Sequence, residues 1–433
     1  MPALVHQGAS APCGLARLES SQLGTDYSTN VLSCSFNKHR VFRHKIGNQG
    51  GMLTSENSEF LVSDSPDFHP TDVFEDADGS VLVINTGGWY KICCPTSQFY
   101  RPEVLGAIYR VRKIGSHQEN DARGNTIDWG QKSPAELVSL LADKRFAVRN
   151  RARKRLGELG ALGVPALKEG LSKLKNDQQR LQVVWAMCQN SSAAARQAIH
   201  LALDDSNETV VHAALHSISL MLDKTAAEAI RQHFASFSPY NRRIAAECLG
   251  RIGNSEDIPL LLNSLTTKTD RALEHSTIFA CIELGEVDAI RSLLSSTNVA
   301  TVRGALIALD QIPGDHLESG DALAAIGADN QAMQDTGWWL LDHHPTWAAG
   351  LTDYFERAIK HNNVPTDARQ KLQQRLNHYI NTPEILTMVG QLFQSNDASV
   401  EAFLLSAISS TKLTTIPESI TDGIYQSLQT SNP

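Results

Sequence analysis

The 433-residue sequence has no apolar run near the roughly 18 residues of a membrane-spanning helix, so it encodes no such span. It has no C-x-x-C pair, which excludes a zinc ribbon and a thiol–disulfide redox motif, and no C-x-x-C-H, which excludes covalent c-type haem. No phosphate loop, H-E-x-x-H helix or Ser-His-Asp arrangement is present. The first residues, M-P-A-L-V-H-Q-G-A-S, have neither the basic start nor the apolar core of a secretion signal, and the chain as written is expected to be cytoplasmic. Positive charge is also in deficit. Lys and Arg number 39 against 47 Asp and Glu, and the net charge of −8 makes nucleic acid an unlikely partner unless a local basic patch overrides it.

What remains is an ordinary globular composition, 42% hydrophobic and 20% charged, long enough for two or three domains. Seven cysteines are spread along it. Cys188, Cys248 and Cys281 sit among apolar neighbours at helical spacing and read as inert core thiols. Cys13, Cys34, Cys93 and Cys94 crowd the N-terminal part, where an oxidising compartment would allow disulfides. An adjacent pair such as Cys93-Cys94 rarely bonds to itself, because that ring is strained.

The stretch Phe60 to Lys113 organises the chain. It holds three short apolar or alternating runs, Thr71 to Glu75, Val81 to Asn85 and Ala107 to Val111. Asp78-Gly79 separates the first two and supplies the positive φ of a tight hairpin turn. Asn30 to Phe36 and His39 to Ile46 are strand-like and flank a turn at Asn37-Lys38; Gly47 to Gly51 reads as a loop leading to another strand at Glu59 to Ser63. Six or so strands in this part suggest one and a half to two propeller blades, too few to close a ring of typically four to eight. Such a piece exposes edges and an apolar face. Either partner copies complete it or the chain is the tail of a longer protein, and the second is the expectation.

Four segments together are distinctive: A-P-C-G-L-A-R (Ala11 to Arg17), S-D-S-P-D-F-H-P-T-D-V (Ser63 to Val73), D-G-S-V-L-V-I-N-T-G-G-W-Y-K-I-C-C-P-T-S-Q (Asp78 to Gln98) and G-A-I-Y-R-V-R (Gly106 to Arg112). They resemble the closing blades of the bacterial PVC-type haem-binding CxxCH proteins, or membrane-bound dehydrogenases. In that family a glucose/sorbosone-dehydrogenase-like propeller is followed by HEAT-type helical repeats and a c-type haem segment. The resemblance implies a cell-envelope or periplasmic setting and, for an intact propeller, a quinone and calcium. Most of the propeller and the haem motif are missing here, so no cofactor is expected in this chain. In quinone-dependent sugar dehydrogenases the channel-facing loops hold cofactor and substrate. By that resemblance the cofactor-binding candidates are His69 and Asp72, with Asn85, Gly87, Gly88 and Trp89 at the same channel end. The plainer reading is a turn beside a core tryptophan.

From residue 115 the period changes from two to about 3.6. Residues 115–132 are polar and glycine-containing and read as a linker. Ser133, Pro134 and Glu136 then open a helix with the elements of a capping box. A recurrent turn follows, as in D-K-R-F-A-V-R-N-R-A (Asp143 to Ala152), D-S-N-E-T-V-V-H-A-A (Asp205 to Ala214) and T-N-V-A-T-V-R-G-A-L (Thr297 to Leu306). Aligning Val148, Leu181, Val210, Arg242, Leu273 and Val302 gives steps of 29 to 33 residues, at the short end of HEAT-type repeats. The expected architecture is β plus α: blades of a partial β-propeller over 1–114, a linker over 115–132, and an α-solenoid of HEAT-like repeats over 133–433. The expected partner is a protein along the concave solenoid surface.

The remaining candidates each have a plain alternative. Asp76 and Asp78 hint at calcium but suit a hairpin turn. His6, His39 and His44 with the four N-terminal cysteines match no zinc spacing. Lys144, Arg145, Arg149, Arg151, Arg153, Lys154 and Arg155 form a basic run that could meet phosphates, or cap the first repeat. Trp338, Trp339 and Trp347 near His343 and His344 read as core packing at an irregular repeat.

Overall fold

The computed structural model describes residues 3–88, 103–116, 119–361, 366–395 and 397–430. By contact the chain divides into two compact units, Met1–Ala289 and Ile290–Pro433. Seven strands come first: β1 (Pro12–Arg17), β2 (Val31–Ser35), β3 (Arg40–Gln49), β4 (Met52–Val62), β5 (Pro70–Glu75), β6 (Val81–Asn85) and β7 (Ala107–Val111). They form two small antiparallel sheets, ordered β1-β2-β3-β4 and β5-β6-β7. The side-chain period of two decides what each strand buries. Val73, Val81 and Val83 point inward, whereas Phe74 and Ile108 face outward. The inward set meets Leu18, Leu32, Cys34, Val41 and Phe68, so the two sheets share one core.

Turn chemistry matches the strands it joins. Gly79 has φ of 77°, and the Asp78 carboxylate accepts from Ser80 N at 3.0 Å, closing the β5–β6 hairpin. The β3–β4 hairpin is longer than the alternation predicts. Residues 47–51 are not a loop; β3 runs on to Gln49, and the turn is confined to Gly50 and Gly51. Its outer half is exposed on both faces, so no buried side imprints a period there.

The helices follow. The first unit holds α1 (Pro134–Leu140), α2 (Phe146–Glu158), α3 (Val164–Lys173), α4 (Asp177–Cys188), α5 (Ala193–Ile199), α6 (Glu208–Met221), α7 (Ala227–His233), α8 (Pro239–Ile252), α9 (Asp257–Asn263) and α10 (Arg271–Leu284). The unit boundary falls in α11 (Val287–Ser292). The second unit holds α12 (Val299–Gln311), α13 (Ser319–Ile326), α14 (Gln331–His343), α15 (Thr352–Lys360), α16 (Thr366–Tyr379), α17 (Pro383–Phe393), α18 (Ala398–Ser409) and α19 (Glu418–Thr430).

The predicted capping box at Ser133 forms, with Glu136 N donating to Ser133 Oγ and Ser133 N to Glu136 Oε2. N-caps also set the repeat. Arg145, Asn176, Asn207 and Ser238 precede α2, α4, α6 and α8 at a constant step of 31 residues, and Asn176, Asn207 and Ser238 each accept from first-turn backbone N–H groups. α2 packs on α4, α4 on α6, α6 on α8 and α8 on α10, as equal steps demand. Each even helix turns a small-residue and aliphatic stripe inward: Val148, Ala152 and Leu156 in α2, Val210, Ala214 and Ile218 in α6. After Ser238 the caps fall at Asp270, Asn298 and Asn330, and the step is no longer constant.

Within the second unit α12 and α13 pack on α14, and α17 packs on α18 and α19. Phe355, Leu340, Ile385 and Leu404 are fully buried there. In the first unit the stretch before α1 is packed against α2. Trp129 is buried, its Nε1 donates to Gly124 O at 2.8 Å, and the Arg151 guanidinium lies 4.6 Å over its ring.

Candidate functional site

The turn after β6 gathers part of the predicted channel set. Asn85 Oδ1 accepts from His69 N at 2.8 Å and from Gly87 N at 3.0 Å, while His69 Nδ1 lies 3.0 Å from Gly87 O. The His69 ring is buried, tilted against Phe36 at 4.5 Å and T-shaped to His39 at 5.3 Å, and burial lowers its pKa below the ordinary imidazole value. A Cβ on Gly87 would meet the carbonyl oxygens of Val104 and Leu105, so a neighbouring backbone occupies the space beside that glycine. Gly88 N donates to Val104 O at 3.1 Å. Asp72 is not drawn in: it is exposed, and its carboxylate accepts from Val73 N. Trp89, Cys93 and Cys94 lie outside the described residues. As placed, His69, Asn85 and Gly87 form an internally bonded bracket, and their polar atoms do not fit a quinone.

The carboxylates considered for calcium do not fit a cation either. Arg110 and Arg123 pair with Asp76, and Arg110 and Arg112 pair with Asp78, at 2.5–3.4 Å. No group of three or more His, Cys, Asp or Glu side chains able to hold a metal occurs among the described residues. Cys13 and Cys34 are free thiols on neighbouring strands; burial pushes Cys34 up to about 12, and Cys248 and Cys281 likewise. These buried thiols are chemically quiet.

The basic run of the first repeat is engaged internally. Lys144 pairs with Glu119, Arg145 with Asp143, and Arg155 with Glu158. Arg149 donates to the carbonyls of Asp143, Lys144 and Glu19. Arg180 does the same for Leu174 and Lys175, and Arg242 for Ala235 and Phe237. This arginine is a recurrent device: from the first turn of an even helix it satisfies carbonyls of the preceding turn. Around Trp338 the aromatic cluster is core packing, with Tyr379 stacked at 6.3 Å, while Trp347 stacks on His344 at 3.9 Å and Asp310 bridges His343 and His344.

One face of the even helices carries a different chemistry. At the 31-residue step, Lys154, Trp185, His216 and Glu247 form one row, and Asn150, His212 and Arg243 fall on a parallel row that has Leu181 at α4. Lys154 is exposed and its six companions on the two polar rows are half-buried. Neighbouring rungs touch. Arg153 donates to Gln182 Oε1 at 2.9 Å and to Asn150 Oδ1 at 3.0 Å. The Trp185 and His216 rings meet edge to face at 6.0 Å, and His212 stacks on Tyr240 at 4.2 Å. Glu247 takes Arg243 at 2.7 Å and the Ser276 hydroxyl at 2.8 Å. Burial lowers the pKa of His212, leaving a neutral imidazole at pH 7. Where α2 and α4 end, an open cleft of about 630 Å³ is lined by Asn150, Lys154, Gly157, Glu158, Gln189 and Ser191.

This ladder was not foreseen from sequence. Following apolar residues gave uneven steps, because aliphatic side chains shift by a turn without harm. The signal lay in the polar caps, whose hydrogen bonds tolerate no such shift.

No family model matches the sequence, and no curated protein matches it. Among solved structures, an engineered protein is similar at 17% identity and a TM-score of 0.28, covering 69% of this chain and 95% of that one. The complex of CpcE and CpcF of phycocyanin lyase from Nostoc sp. PCC7120 is similar at 18% identity and a TM-score of 0.29, covering 61% and 99%. Human deoxyhypusine hydroxylase in complex with glycerol is similar at 16% and 0.25, covering 60% and 98%. Likenesses at this level carry no argument about function.

Proposed function

We propose that this chain is a protein-interaction scaffold: an α-solenoid of HEAT-like repeats preceded by the sheets of a partial β-propeller, from a dehydrogenase-like cell-envelope lineage. The observation that carries the reading is the ladder. Four alternate helices repeat one register, and at the same two positions, Leu181 of α4 excepted, they present amide, imidazole, indole and charged groups instead of the aliphatic stripe they bury. Such a surface recognises an extended partner by many modest contacts.

A photo-crosslinking amino acid placed at Trp185 or His216 should capture a discrete protein partner in host extract, and the same group at Glu169 or Lys173 on α3 should not. Equal labelling from both faces would overturn the scaffold reading. Dehydrogenase chemistry is tested separately: purified chain with quinone, calcium, an aldose and an artificial electron acceptor should show no turnover, and clear turnover would replace the scaffold by an enzyme. The engagement of Lys144, Arg145, Arg149, Arg151 and Arg155 within the chain favours protein over nucleic acid as the partner class.

A further inference from the structure

The ladder also specifies what kind of segment it holds, an inference that rests on the scaffold reading. Packed helices stand about 8–10 Å apart, which sets the spacing between consecutive rungs. A polyproline II chain rises about 3.1 Å per residue, so every third residue advances about 9.3 Å and falls over the next rung. An α-helical ligand rises only about 1.5 Å per residue and carries no free backbone groups in its interior. The amides of Gln182 and Asn150 beside the rungs suit the unpaired carbonyls of an extended chain.

The rungs differ along the row. Trp185 is half-buried, T-shaped to His216 at 6.0 Å, and offers an indole of the sort on which proline rings dock. One step away, the Lys154 side chain is 77% exposed, and its nearest carboxylate is Glu158 at 4.0 Å. Beside it Arg153 is held by two neutral amides and makes no ion pair among the described residues, while burial weakens its hold on the proton. At the far end Glu247 is already neutralised by Arg243. Arg155 also pairs with Glu158, so three cations surround one carboxylate and the net charge at the Lys154 end, next to the cleft, is positive.

We infer that the face of α2, α4, α6 and α8 binds an extended, polyproline-type peptide segment whose proline stacks on Trp185, with an acidic residue three positions away seated between Lys154 and Arg153. The partner thus carries an acidic residue and a proline separated by two residues.

The test uses the full chain and fluorescein-labelled 12-residue peptides read by anisotropy. One has proline at every third position with an aspartate three residues from the central proline. In a second the aspartate is shifted by one position, in a third it is lysine, and a fourth is an alanine-based helical peptide of equal charge. The first should bind, and the shifted and lysine versions should bind at least about tenfold more weakly, a difference of about 1.4 kcal/mol. Trp185→Leu and Gln182→Ala should each weaken it, with the far-ultraviolet helix signal unchanged, and Lys154→Glu should transfer preference to the lysine peptide. Equal binding of the shifted or helical peptide, or indifference to both Trp185→Leu and Lys154→Glu, overturns the inference. So does a DNA duplex that displaces the peptide at low salt. If no peptide binds while the α4 and α6 crosslinks persist, the segment class is wrong and the scaffold reading stands; if the crosslinks are absent as well, both fall.

Discussion

Arg180 shows how much one side chain can hold in a repeat. Its guanidinium donates to Leu174 O and Lys175 O at 3.1 Å and reaches Asp205 at 2.7 and 2.9 Å and Asp177 at 2.6 Å, with Asp205 almost fully buried. Removing it takes the cation from a buried carboxylate, which keeps only the Asn207 N–H, and the donor from two carbonyls. Arg180→Ala should cost about 3–5 kcal/mol, read from the urea midpoint. Lys173→Ala, which breaks the exposed pair with Glu169, should change stability by less than about 1 kcal/mol. A second residue-scale expectation concerns acid. Burial would raise the Asp78 pKa, yet hydrogen bonds from Ser80 and Arg112 with the Arg110 charge bring it down from 3.8 to about 2. A depressed carboxylate stabilises the fold above its ordinary value and loses that contribution as pH falls toward about 2. Asp78→Asn should therefore flatten the loss of stability between pH 4 and pH 2, followed by denaturant melts at each pH. The Asp78-Gly79 turn was legible in the sequence because its chemistry is local. The arginines that neutralise Asp78 lie more than thirty residues away and were not.

At the scale of elements, the β3–β4 hairpin links distant parts of the first unit. Near the β core, Arg149 of α2 donates to Glu19 O at 3.0 Å, and at the hairpin tip Gly51 N donates to Asp270 Oδ2 at 2.8 Å. The hairpin tip therefore ties the sheets to the N-terminus of α10. Asp270 is also the N-cap of α10, its Oδ1 accepting from Ala272 N and Leu273 N. Asp270→Ser should keep much of the cap and lose the tip anchor, so hydrogen exchange should quicken at residues 45–56 with little change in α10. Asp270→Ala should add a capping loss of about 1 kcal/mol. Sequence reading placed β5, β6 and β7 within a residue, because Val73, Val81 and Val83 alternate against a core. It missed the outer half of the hairpin, whose two exposed faces leave no period to read.

At the scale of the whole molecule, contacts gather in two compact units. Core damage should stay local, as in arrays whose elements meet mainly their neighbours. Leu215→Ala, at a fully buried position in α6, should lower the first unit by about 2–5 kcal/mol. Hydrogen exchange read by mass spectrometry should then show α4, α6 and α8 opening more readily, and α17 and α18 unchanged. Uniform acceleration across all helices would show a single cooperative fold instead.

The sequence by itself determined the class of most elements. Period-two runs ending in Asp-Gly made strands, and period-3.6 runs opened by Ser, Asn or Asp made helices, because backbone geometry and capping are settled within a few residues. It also showed that the array repeats. Only the tertiary structure decided the rest. It closed His69 and Asn85 into a bonded bracket, engaged most of the basic run of the first repeat, joined two sheets over one core and lined Lys154, Trp185, His216 and Glu247 along one face. Those outcomes depend on which side chains meet across tens to hundreds of residues. That is fixed by packing and by the satisfaction of buried polar groups, and no local pattern encodes it.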